Sequence, residues 1–173
     1  MTLHSQAFID YLAHYHGDRD YFECHEILEE YWKEVDNRNK QSIWVGLIQI
    51  AVANYHHRRG NFHGAKKTLQ KAVSILSSYQ REVIQLGIDY QQLLNDIHKM
   101  QEEIDKGRPY KSYYFPITDA FLLDEVKKTC ISKGFEWGQE SNLENEDIVH
   151  RHMKRDRSNV IAERERALQR HHR

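Results

Sequence analysis

Cysteine and proline are scarce in this chain, and each scarcity excludes something. Two cysteines, Cys24 and Cys130, stand far apart in 173 residues and in no CxxC arrangement. A disulfide framework and a cysteine zinc site are therefore not expected, and a reducing cytoplasm is the expected compartment. The prolines, Pro109 and Pro116, are also two, so the stretch before residue 109 carries no proline to interrupt a helix. No apolar run approaches the length of a membrane span, and the first residues, MTLHSQAFIDYLAHYH, lack the basic-then-apolar order of a leader. Charge of one sign is missing as well. Twenty-five Lys and Arg face 26 Asp and Glu, a net charge of −1, which gives no global attraction to nucleic acid or anionic lipid. No phosphate-binding glycine loop, dinucleotide fingerprint or G-x-S-x-G is present.

What the chain has is aromatic residues and helical periodicity. Ten Tyr, six Phe and three Trp, with 39% hydrophobic residues overall, are enough for one folded domain with a proper core. Apolar residues recur at 3.6-residue spacing and nowhere convincingly at two, which predicts an all-α bundle of five or six helices. Helices are expected over 3–16, stopped by Gly17, and over 20–36, capped by Asp18 or Asp20. Further helices follow over 41–59, stopped by Gly60, then 62–79 behind Asn61, 89–106, and 119–132. The loop YKSYYFP before the last of these reads as a lid over one end of the bundle, or else as a pocket wall.

The residues divide into a bundle over 1–132 and a charged segment over 133–173. From Glu136 to Asp147 there are five acids and no Lys or Arg; from Arg151 to Arg173 there are eight Lys or Arg against three acids. A thin stripe of Val149, Met153, Val160, Ile161 and Leu168 predicts a C-terminal helix, either solvated or docked on a protein partner or a second copy of the chain. As a nucleic-acid surface it is weak, because acids interrupt it and no ring is present to stack on bases.

The stretch YFECHEILEEYW, residues 21–32, is the most informative. On a helical wheel His25 and Glu29 fall one turn apart between Trp32 and Phe22, at the edge of the apolar face. On the third helix Gln49 and His56 lie two turns apart, sharing a face with Gly46, Ala53 and Val52, while Asn54 and Arg58 lie opposite and are expected to be exposed. Antiparallel packing of the two helices would gather His25, Glu29, Gln49 and His56 into a notch. One reading is a site: His25, Glu29 and His56 as ligands of Zn, Mn or Fe, or a small polar ligand held with Gln49, Trp32 and Phe22. Were it catalytic, Glu29 or His56 would be ligand or general base in a hydrolysis. The other reading is a hydrogen-bond network bracing two helices in a protein-interaction module. HExxH itself is missing, since position 29 is Glu.

His14 and His16 are expected to be exposed, and Cys24 to be a buried small hydrophobe. RGNFHGAKKTLQKAV places Gly60, Phe62, Ala65, Leu69 and Ala72 at the spacing of a tetratricopeptide hairpin. Only one such unit occurs, so a local hairpin is expected rather than a solenoid, with a peptide groove as its functional reading.

The same residues carry a family resemblance. His25, Glu29 and Trp32 fit H-x-x-x-E-x-x-W, and Gly46-Leu47-Ile48-Gln49, His56, Gly60-Asn61 and Gly64-Ala65 fit the helix that follows. Over roughly residues 8–76 the chain resembles the bacterial and archaeal domain-of-unknown-function 309 family. The resemblance implies an all-helical fold and metal binding at the motif, and it implies no particular reaction.

Overall fold

The computed structural model describes residues 4–149, side chains of residues 146 and 147 excepted. Eight helical segments follow one another among the described residues: α1 Gln6–His16, α2 Tyr21–Val35, α3 Ile43–Arg58, α4 Phe62–Leu76, α5 Gln80–Gln85, α6 Tyr90–Asp105, α7 Ala120–Ser132 and the single turn α8 Glu146–Val149. No strand is found among these residues; one isolated bridge joins Ile88 to Ile117. The protein is an all-α bundle, and the predicted C-terminal helix falls almost wholly outside the described residues.

Local chemistry places the helix starts. Ser5, Asp20, Ser42, Asn61, Asp89 and Asp119 each accept a first-turn backbone N–H with the side chain. Such caps satisfy donors that the helix itself leaves unpaired. Their positions explain why α1 and α3 begin a residue or more later than periodicity alone predicts. Gly60, with φ of 78°, takes the left-handed conformation that ends α3. The six-residue α5 was not expected: its one fully buried residue, Val83, is too little to register as a periodic pattern.

The helix α3 is the centre of the molecule, packed between α2 and α4, while α1 packs on α2 and α7, and α4 on α6. Antiparallel pairing of α2 and α3 follows from side-chain neighbours. Tyr31 meets Trp44 at 5.0 Å between ring centres at one end, and Phe22 and His25 share a pocket with Val52 and His56 at the other. The face of α3 bearing Gly46 turns to α4: a Cβ at position 46 would stand 2.8 Å from Leu76 Cδ2. That close approach, with Ala65, Leu69 and Ala72 wholly buried, makes α3–α4 a hairpin packed in the predicted tetratricopeptide manner.

Three polar residues expected at the surface are inside. Asn54 is 4% and Arg58 9% exposed, and His16 is fully buried. His14 is half-buried against Phe135 and paired with Asp18. The covering comes from distant segments. The loop 108–117 crosses α1 and α3, and residues from Phe135 to Val149 return to the bundle, seating Trp137 against His16 at 4.6 Å. Polar side chains of α1 and α3 thus meet chain that lies 90 and 99 positions away on the sequence.

Candidate functional site

The notch begins with a one-turn pair on α2. His25 Nε2 donates to Glu29 Oε2 at 2.8 Å, the i, i+4 spacing that puts both side chains on one face. Glu29 Oε1 takes Lys33 Nζ at 3.2 Å, a further turn along, so both oxygens of this carboxylate are engaged. The pair is half-buried, His25 at 30% and Glu29 at 34% exposure. It sits at the rim of the apolar face.

Across from it, α3 contributes His56. Asn61 caps α4 by accepting the Gly64 N–H on Oδ1 at 3.0 Å, which fixes its amide so that Nδ2 approaches His56 Nδ1 at 3.3 Å. An amide N–H facing Nδ1 requires that nitrogen to accept, so the neutral His56 ring carries its proton on Nε2. His25 also carries its proton on Nε2, given to Glu29, while its Nδ1 lies 3.8 Å from Glu26 Oε1.

Between the helices lies a pocket of about 110 Å3 lined by Tyr21, Phe22, His25, Val52, Tyr55 and His56. Phe22 packs beside His25, ring centres 6.0 Å apart. The structure thus brings Phe22, His25 and His56 to one pocket and places Glu29 behind His25. Gln49 and Trp32 do not line it. Gln49 is half-buried and makes no hydrogen bond to the pair, and the Trp32 indole donates to the Asn39 carbonyl at 3.0 Å. Val52 lies there on the face it shares with His56, whereas Tyr21 and Tyr55 were not anticipated as walls. Lys33 could have been anticipated from its spacing to Glu29.

Among the described residues no three His, Cys, Asp or Glu side chains come together as a cation site. Glu29 is held by His25 and Lys33, and a cation at His56 Nε2 would push a proton onto Nδ1, against the Asn61 amide. As arranged, the residues do not fit a three-ligand centre.

Behind the notch the aromatic loop builds a second polar layer. Tyr21 and Tyr110 share a hydroxyl–hydroxyl hydrogen bond, and Tyr110 also meets Ser141 Oγ at 2.8 Å. The Arg58 guanidinium lies 4.5 Å from the Tyr21 ring centre, within cation–π range. Burial pushes the Tyr21 phenol well above its ordinary pKa, so it stays a neutral hydrogen-bonding group.

The family described as Domain of unknown function (DUF309) matches residues 8–68, the stretch that supplies α1, α2, α3 and the start of α4. The chain is 45% identical over 168 residues to "Uncharacterized protein YpuF" of Bacillus subtilis (strain 168), covering 97% of each chain. No solved structure matches.

Proposed function

The chain belongs to the DUF309 family, and on that premise we propose that the α2–α3 notch binds a small polar ligand in the pocket that His25 and His56 line. The observation that carries the reading is the His25–Glu29 pair, about one third exposed, opening on a pocket that a second imidazole also lines. A bracing network gains most when its groups are withdrawn from water, and an exposed i, i+4 pair contributes only about 0.3–0.5 kcal/mol. Glu29 instead acts on His25, holding the ring in one tautomer and orientation.

Size and polarity describe the occupant. A volume of about 110 Å3 equals the liquid-volume share of roughly four water molecules. A group of a few non-hydrogen atoms fits, one donor and one acceptor on a small apolar stem, as in a carboxamide. Phe22, Val52 and Tyr55 meet the stem.

A divalent cation, Zn, Mn or Fe, is the competing occupant. It would take His25 Nδ1 and would require Glu29 to release Lys33 and His56 to shift its proton. Elemental analysis of tag-free protein purified without chelator, beside Glu29→Gln, separates the two. The small-ligand reading expects no stoichiometric metal in either protein. It also expects saturable shifts of the Val52 and His56 signals on titration with acetamide, lost in His25→Ala. Stoichiometric metal that disappears in Glu29→Gln would replace this reading with the cation, and a flat acetamide titration would remove it.

A further inference from the structure

A second and larger cavity, about 310 Å3, lies on the other side of α3, between α6 and the loop 109–114. Its volume is at the lower end of small-molecule sites. We infer that it binds a small organic acid: an anionic head group at Lys99 and Lys111, a flat apolar body within, and a hydrogen-bond acceptor at the Asn54 amide.

The floor points to an acceptor. Asn54, 4% exposed, lines the cavity. Its Oδ1 receives the Tyr15 hydroxyl, which fixes the amide and turns Nδ2 away from Tyr15. Among the described residues that nitrogen meets Met100 Sδ at 3.8 Å, a thioether and so a weak acceptor. A buried amide donor served among these residues by sulfur alone is costly unless something better arrives.

The charges point to an anion. Four charged side chains line the cavity, two of each sign. Both carboxylates are engaged: Asp96 takes the Tyr113 hydroxyl at 2.8 Å and Gln92 Nε2 at 2.8 Å, and Glu103 takes Arg108 Nη1 at 2.8 Å. Lys99 and Lys111 make no ion pair among the described residues. The charge left to meet a ligand is positive.

The walls are set in advance. His57 Nε2 donates to the Arg108 carbonyl at 2.8 Å, and Arg19 Nη1 donates to the Tyr113 carbonyl, so both ends of the loop are tied to buried side chains. Met100, Pro109 and Tyr113 supply apolar surface, a ring and a thioether among them, suited to a flat body. A wall already ordered costs little entropy when the ligand enters.

The test is NMR titration of the full chain with 4-acetylbenzoate, whose acetyl carbonyl is an acceptor opposite the carboxylate, and with 4-acetylbenzamide as the neutral probe of the same shape. The acid is expected to give saturable shifts at Asn54, Met100 and Ser112, and the amide weaker ones. Lys99→Gln/Lys111→Gln alters two exposed side chains and is expected to keep the native unfolding midpoint. It should weaken the acid about ten-fold and leave the amide unchanged. Equal binding of the two probes to the native protein, undiminished binding of the acid by the double variant, or no saturable shift at the Asn54 side-chain amide would each overturn the inference.

Discussion

Arg58 Nη1 donates to the backbone carbonyl of Arg19 at 2.7 Å, so that one buried guanidinium holds the residue that carries the other. Arg19 takes a left-handed φ of 57° between α1 and α2 and gives its own N–H groups to the carbonyls of Tyr113 and Gln139. Arg58 reaches on to Ser141 Oγ and the Ile148 carbonyl, at 3.3 and 3.4 Å. No carboxylate pairs with either among the described residues. Carbonyls and tyrosine faces hold both cations, and the carbonyls of Tyr113, Gln139 and Ile148 come from segments that sequence reading treats as loop and tail.

Truncation tests that dependence. Removing everything after Gly134 deletes Gln139, Ser141 and Ile148 and leaves two buried guanidinium groups short of acceptors. A loss of about 3 kcal/mol or more in unfolding free energy is expected, read from denaturant midpoints.

Acid should destabilise the protein through His16. Its Nδ1–H donates to the Leu12 carbonyl at 2.8 Å, and its Nε2 accepts the Phe115 N–H at 3.0 Å, an arrangement that only the neutral ring can make. Burial drives its pKa down to about 3 from an ordinary 6.5. The unfolded chain takes up a proton near pH 6.5 and the folded chain does not. This contribution is therefore complete above pH 6.5 and is lost as pH falls toward 3, with a slope of up to about 1.4 kcal/mol per pH unit. His16→Gln should flatten the stability profile over that window; an unchanged slope would refute the assignment.

The notch pair should matter little to stability. His25→Ala is expected to lower unfolding free energy by less than about 0.5 kcal/mol, since the pair is a third exposed. A loss above about 2 kcal/mol in chemical denaturation would identify a brace.

Asn61→Asp probes the tautomer of His56. The aspartate keeps a capping oxygen for the Gly64 N–H, so α4 should persist, but an oxygen replaces the amide donor at His56 Nδ1. The His56 proton should move from Nε2 to Nδ1, a change read directly in imidazole nitrogen chemical shifts.

Gly46→Ala should destabilise despite better helix propensity. The new methyl would lie 2.8 Å from Leu76 Cδ2 and 3.1 Å from Ile75 Cγ2, both side chains buried. Overpacking of about 1–3 kcal/mol outweighs a propensity gain near 1 kcal/mol, so thermal unfolding should move to lower temperature.

The sequence by itself determined the helices and the meeting of two of them. Capping side chains at Ser42, Asn61 and Asp89 act within one turn, and the left-handed stop at Gly60 is equally local, so α3, α4 and α6 are legible to within three residues at each end. A short connection between α2 and α3 forces antiparallel packing, and the wheel then brings His25 and His56 to one pocket. Only the tertiary structure decided what lies over the rest of α3. Asn54 and Arg58 read as a solvent face because a helical wheel records one packing partner, and these two face segments that return from residues 100–148. Much of what satisfies Arg19 and Arg58 is backbone carbonyl, a group every residue carries, and so it leaves no mark in the sequence. The same reason hid Gln49 and Trp32: a wheel gives an angle around the axis, while the Lys33–Glu29 contact, the Asn39 carbonyl and the depth of the pocket depend on how far along the axis the neighbour reaches.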